Sequence, residues 1–161
     1  MTGSLQRFKQ TIGMRLFGWL KIPLLASVRP SVVELSETRC VVRIPLRRWT
    51  RNHLGSMYFG ALAIGADCAG GLLAMDQIKR SGGKVSLVFK AFQATFLKRP
   101  ESDVYFICEG GEAIRDQVRR ALASADRITE PMAIQAAVKA PDGTFESVAD
   151  FTLELSLKRQ G

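Results

Sequence analysis

One acid of this sequence stands where an acid is costly to keep. Asp67 lies between Ala66 and the Cys68-Ala69 pair, inside an apolar stretch that runs from Leu54 to Met75. A carboxylate buried among apolar groups is expected to have a raised pKa unless donors stabilise its charge. Hydrolytic chemistry needs a base or nucleophile, a water, and donors aimed at a developing oxyanion. Asp67 is the type of residue that fits such a site; it could instead accept hydrogen bonds from a neighbouring loop and hold the fold together. Just upstream, Phe59 and Gly60 fall near the start of a long helical stretch. Its free N–H groups and positive dipole end suit negative charge. Asn52 carries an amide that could orient a water or a carbonyl. His53, the sole histidine, sits beside it in a loop, a setting in which histidine is more often structural than catalytic. Ser86, on a strand after the helix, could hydrogen-bond across the site or simply lie on a polar strand face.

The elements that must position these residues can be read from periodicity. Leu5, Phe8, Ile12, Leu16 and Trp19 recur at steps of three and four, giving an amphipathic helix over 1–22 that Pro23 ends. Such a helix can lie on a membrane surface, but packing on its own domain is the commoner arrangement. From Ser31 to Pro45 the pattern is strand-like, with Cys40, Val42 and Ile44 on one face and Arg39, Val41 and Arg43 on the other. The stretch from about Ser56 to Arg80 is apolar on every side, as a helix in the middle of a domain should be. Ser81-Gly82-Gly83 terminates it. Val85, Leu87 and Phe89 then alternate in one phase and Phe92, Ala94 and Phe96 in the other, which predicts a bulge near Ala91. Further strands follow over Asp103–Glu109, from Met132 to Val138, and from Phe151 to Leu157. A short surface helix within Glu112–Asp126 interrupts them, and Pro141-Asp142-Gly143-Thr144 makes a hairpin turn. The result is one α+β domain over 1–161: an antiparallel sheet of about five strands wrapped around a long central helix. A single small sheet cannot cover that helix on both sides, so pairing of two sheets edge to edge, and hence a homodimer, is expected.

Bulk properties narrow the function classes. The net charge of +8 favours anionic partners. The basic residues are dispersed and lack any zinc-finger or RNA-recognition signature, so nucleic acid is not expected as a partner. The longest apolar stretch contains Asp67 and five glycines, and the patch from Ile22 to Val28 is short and broken by Pro23. No stable membrane anchor or signal peptide is expected. Cys40, Cys68 and Cys108 are odd in number and far apart, with no Cys-x-x-Cys pair, so neither a disulfide framework nor a metal site is expected. Buried, reduced cysteines in a cytoplasmic protein fit that pattern.

The block Asn52-His53-Leu54-Gly55-Ser56-Met57-Tyr58-Phe59-Gly60, followed by Asp67, resembles the hot-dog thioesterase superfamily, in particular its PaaI-like branch. The pattern there is Asn-x-x-Gly-x-x-His-Gly-Gly, then six residues, then Asp. Asn52, Gly55, Gly60 and Asp67 fall into register without a gap. A subgroup bearing an Asn-His-x-Gly-Ser block is the most similar. Tyr58 and Phe59 replace the family's His and first Gly; a backbone donor survives at Phe59, but a large side chain stands where glycine allows close approach. The resemblance implies a hot-dog fold and hydrolysis of an acyl-CoA or similar thioester, with Asp67 as general base or nucleophile. It further implies an oxyanion donor at Phe59–Gly60, a positioning role for Asn52, and a site completed by a second subunit, in a homodimer or a dimer of dimers. His53, Gly55, Tyr58, Lys84, Lys90 and Arg99 are the substrate-binding candidates, the cations for coenzyme A phosphates. No cofactor is expected beyond the substrate's own coenzyme A. The rival reading is a hot-dog protein that binds an acyl or CoA ligand without turning it over.

Overall fold

A computed structural model describes residues 2–160; Met1 and Gly161, the ends of the expected domain, lie outside the described residues. The chain runs α1 (Thr2–Lys21), α2 (Pro23–Ser27), β1 (Ser31–Leu35), β2 (Cys40–Ile44), α3 (Phe59–Ser81) and β3 (Val85–Phe96). It continues through β4 (Val104–Cys108), α4 (Gly111–Ala123), β5 (Ile128–Lys139) and β6 (Phe145–Arg159). The six strands form one antiparallel sheet in the order β1-β2-β4-β5-β6-β3. The sixth strand comes from 31–45, which is a hairpin and not one strand. Ser36 closes its turn: its hydroxyl accepts from the Arg39 N–H at 3.1 Å, and its own N–H donates to the Arg39 carbonyl at 2.8 Å.

Helix α3 is the rod around which the sheet curls. Ala66, Ala69, Leu73 and Ala74 are fully buried against β2, β4 and β5. The small residues fix how closely it approaches: a methyl group at Gly65 would meet the Phe106 ring of β4 at 2.2 Å. Any larger residue there would push the rod off the sheet, and overpacking of this kind typically costs about 1–3 kcal/mol. Phe106, Val42, Ile44, Leu155 and Leu157 complete the core beneath it. By length and composition α3 could cross a membrane, but half of its most apolar window is buried inside the fold.

The bulge predicted near Ala91 is present: the pairing of β3 with β6 skips Lys90 and Ala91, between Phe89↔Leu155 and Phe92↔Leu153. Both halves of β3 therefore turn apolar side chains to the same face. Pro131 is accommodated in β5 because β4 reaches only Gln135–Val138, leaving the proline in a stretch paired on one side alone. The turn at 141–144 forms as its sequence predicts, with the Thr144 N–H donating to Asp142 Oδ1 at 2.9 Å.

Helix α1 lies along the outer side of β1. The Thr11 hydroxyl accepts from the Val32 N–H at 2.9 Å, and Arg15 Nε donates to the Pro30 carbonyl at 2.7 Å. The side that meets β1 thus bonds through polar side chains, with Met14 packed on the core beside them. Leu5, Phe8, Ile12, Leu16 and Trp19, the apolar stripe of the helix, all face outward.

Candidate functional site

Asp67 sits two turns into α3, on the side that faces the edge strand β3. It is half-buried, and among the described residues nothing donates a hydrogen bond to its carboxylate. Burial holds its pKa above the ordinary carboxylate range, with no compensating donor. Next to it on the rod, Cys68 is buried and its thiol is pushed up to about 12, first by desolvation and then by the nearby Asp67 charge. That thiol is no nucleophile at neutral pH.

The Asp67 carboxylate opens onto a cleft of about 570 Å³ between α3 and β3. Gly71 leaves the space: a methyl group there would lie 3.7 Å from Asp67 Oδ1 and 3.8 Å from the Phe89 ring. Asp67, Gly71, Met75 and Lys79 follow at steps of four and form the floor, and Val85, Leu87 and Phe89 of β3 form one wall. The opposite wall comes from the N-terminal arm, through Met14, Phe17, Ile22 and Leu25. Asp67 and Lys79 are the charged residues among a lining that is otherwise mostly aliphatic and aromatic. A second cleft of about 620 Å³ lies between α3 and α4, but its Arg80 and Arg115 already pair with Glu37.

At the start of α3, Tyr58 is the extended N-cap residue, and no side chain caps the helix. Its carbonyl accepts from the Ala61 and Leu62 N–H groups, while the Phe59 and Gly60 N–H groups find no acceptor among the described residues. Two donors therefore point out of the helix end, where its dipole is positive. The Tyr58 ring lies across Gly60, where a methyl group would meet it at 2.5 Å, and meets the Phe59 ring at 4.7 Å in a tilted arrangement. Phe59 in turn meets Phe96, at the far end of β3, at 6.5 Å.

The preceding loop is shaped by Asn52. Its Oδ1 accepts from the Leu54 N–H at 2.9 Å and the Ser56 N–H at 3.2 Å, and its Nδ2 donates to Ser56 Oγ at 3.1 Å. Gly55 supplies the φ of 85° that this turn requires. The Asn52 amide is thus engaged within its own turn. His53 is exposed at the same turn. The segment is held to α3 by the Tyr58 N–H, which donates to the Thr50 carbonyl at 2.8 Å. Arg47, Arg48 and Arg51 stand exposed around that anchor.

These sequence-selected residues gather in two places. Asn52, His53, Gly55, Tyr58, Phe59 and Gly60 are together at the tip of α3, and Asp67 is at the cleft. With a rise of 1.5 Å per residue, the Phe59 amide and Asp67 are roughly 12 Å apart along the helix, too far to act on one carbonyl group. Within one chain, Ser86 belongs to neither place. The cleft-lining residues of β3 before the bulge are Val85, Leu87 and Phe89, so Ser86 points to the other face, and its hydroxyl donates to the Lys158 carbonyl at 3.2 Å. Lys84 and Lys90 are exposed and about 20 Å apart along β3. Arg99 is exposed beyond that strand's end, and the three do not form a cluster.

Met14, Phe17, Met75 and Lys79 are cleft residues that sequence reasoning did not single out. The four-residue row from Asp67 to Lys79 was readable as one helix face; nothing in the sequence ties Met14 or Phe17 to it. Among the described residues no group of three His, Cys, Asp or Glu side chains could hold a metal ion.

A protein family described as a domain of unknown function, DUF4442, matches residues 13–155. No curated protein matches the chain. Solved structures share its fold along nearly the whole length. A protein of unknown function from Pseudomonas aeruginosa, described as a probable thioesterase, superposes with a TM-score of 0.76 at 22% identity, over 93% of this chain and 96% of that one. A thioesterase family protein from Silicibacter pomeroyi gives 0.67 at 16% identity, over 93% and 99%. A protein of unknown function from Chlorobaculum tepidum gives 0.80 at 9% identity, over 96% and 97%. The architecture they share is the hot-dog fold, an antiparallel sheet wrapped around a long central helix.

Proposed function

The chain belongs to the DUF4442 family, and on that footing we propose that it hydrolyses acyl-CoA or similar thioesters with Asp67 as general base or nucleophile. The observation that carries the reading is the Asp67 carboxylate itself: half-buried, without a donor among the described residues, and open to an apolar cleft that an acyl chain would fill. A structural acid would be paired; this one is left basic and beside the space where a substrate would lie. The fold's likeness to proteins described as thioesterases supports the reaction class.

The distance between Asp67 and the Phe59–Gly60 donors supports a two-copy site. Strand β3 is paired on one side only and exposes Val88, Phe92 and Phe96. A long apolar edge of this kind invites another strand. Antiparallel pairing of two β3 edges around Phe92 would bring the end that carries Phe96 and Phe59 in one subunit beside the half that carries Phe89 and Asp67 in the other. A thioester carbonyl could then face an acid from one subunit and helix-tip N–H donors from its partner. In that arrangement Asn52 and Gly55 position the tip, and Arg47, Arg48 and Arg51 on the adjoining segment meet the phosphates of coenzyme A. No cofactor beyond the substrate's own carrier is invoked. The three buried, unpaired cysteines suit a reducing compartment, and a cytoplasmic setting is part of the proposal.

One observation favours ligand binding without turnover. The Phe59 ring stands at the helix tip between Tyr58 and Phe96, next to the proposed donors. Initial rates on acyl-CoA esters of graded chain length, for wild type and Asp67→Asn, separate the two readings. Hydrolysis predicts a fall of about 10²–10⁴-fold in the variant, the usual range for losing a general base. Equal residual rates in both proteins, with acyl-CoA still bound, would replace the hydrolase by a carrier.

A further inference from the structure

The apolar stripe of α1 faces away from the fold that carries it. Leu5, Phe8, Ile12, Leu16 and Trp19 are between 48% and 75% exposed. At 100° per residue they fall within a sector of about 80°. Thr11 and Arg15, which bond to the β1 edge, lie outside that sector, as do Met14 and Phe17, which line the cleft. The arm beyond the stripe adds exposed Leu20, Ile22 and Leu24. Isolated surface hydrophobes need no explanation, but a continuous row of this size does.

Charge identifies what covers it. Residues 1–33 contain Arg7, Lys9, Arg15, Lys21 and Arg29 and no carboxylate; the first acid of the chain is Glu34. A second copy of the arm would bring cation against cation. An anionic bilayer surface offers both things that the arm lacks, negative charge and a medium for the apolar row. Trp19, the most exposed residue of the row at 75%, is of the type enriched at the headgroup level. Lys9, beside Leu5 and Leu16 on the helix surface, can keep its ammonium among headgroups while its stem lies with the row.

We propose that α1 binds anionic lipid surfaces reversibly, lying flat with the Leu5–Trp19 row in the boundary between headgroups and acyl chains. The proposal does not rest on the hydrolase reading. The test is flotation of the full chain with neutral phosphatidylcholine vesicles and with vesicles containing roughly a third phosphatidylglycerol. We expect binding to the anionic vesicles only, weakening at least ~10-fold as salt is raised from about 50 to 200 mM. The variant Ile12→Asp/Leu16→Glu, altered at exposed positions, should keep the wild-type circular dichroism and lose at least ~10-fold of the binding. A charge variant, Lys9→Glu/Lys21→Glu, which leaves the apolar row intact, should lose binding as well. Failure of wild type to float with anionic vesicles overturns the proposal, and so does undiminished flotation of the Ile12→Asp/Leu16→Glu variant. Conversion of a dimer to a monomer by that variant also overturns it, since the row would then be a subunit interface.

Discussion

At the β1 edge of the sheet the outermost backbone meets side chains of α1: Thr11 accepts from Val32, and Arg15 donates to Pro30. At the β3 edge no helix or loop of the described residues does the same, although β3 is more than twice as long, at 12 residues against 5. An unpaired edge is a template for another strand, and proteins cover, charge or shorten the edges they do not use. This chain covers its short edge with its own helix and leaves its long apolar edge, with Phe92 and Phe96 exposed, unguarded. In the proposed two-copy site, the contrast separates what one copy completes alone from what it would leave to a second. The Asp67 cleft opens along the second kind of edge.

The comparison can be broken at β3 first. Charging that edge with Val88→Lys/Phe96→Lys should turn a dimer into a monomer by light scattering. In the two-copy reading of the site, hydrolysis should fall by roughly 10²–10³-fold, as when an oxyanion donor is removed. A monomeric wild type, or a monomeric variant with full activity, would show that the open edge has no part in the site. Asp67 provides the next effect. Because its pKa is raised in the fold, the native state holds its proton more tightly than the unfolded chain does. That stabilisation is complete below the ordinary Asp range and is lost as pH rises from there through the raised native value. Thermal melts of wild type and Asp67→Asn should therefore separate across that interval, with the variant on the order of 2–4 °C higher above it. A constant gap at every pH would mean that the carboxylate is not desolvated as described. The smallest effect belongs to the guarded edge. Thr11→Val removes one hydrogen bond to β1 and should cost about 1 kcal/mol by denaturant melts, with faster exchange of the Val32 amide and no change in oligomeric state.

Much of this arrangement was legible in the residues. The rod could be placed because its apolar residues surround it, and its end because Ser81-Gly82-Gly83 follows. The bulge could be placed because the alternation of β3 changes phase between Phe89 and Phe92. The β1–β2 hairpin was hidden, since its turn at Ser36-Glu37-Thr38 has neither Gly nor Pro and relies on a serine hydroxyl. At the site, the acid and the helix tip stood out by type and spacing, but their separation along α3 follows only from geometry. The phase of Val85, Leu87 and Phe89 assigns Ser86 to the other face of β3, away from the cleft of its own chain. For α1, periodicity reveals a stripe but not its direction. The stripe's outward turn follows from Thr11 and Arg15, whose bonds to β1 no periodicity predicts.

That same arm has a mechanical consequence. Three sides of the cavity beside Asp67 are held in different ways: α3 is packed into the core and β3 is laced to β6, but the arm that carries Met14 and Phe17 is tied by side-chain bonds from α1 to β1 and by Met14 and Leu25 packed on the core. The bore of the cavity is thus set on one side by residues of the arm, so in the proposed reaction the girth of the acyl chain would be decided by Met14 and Phe17 and not by the acid and its rod.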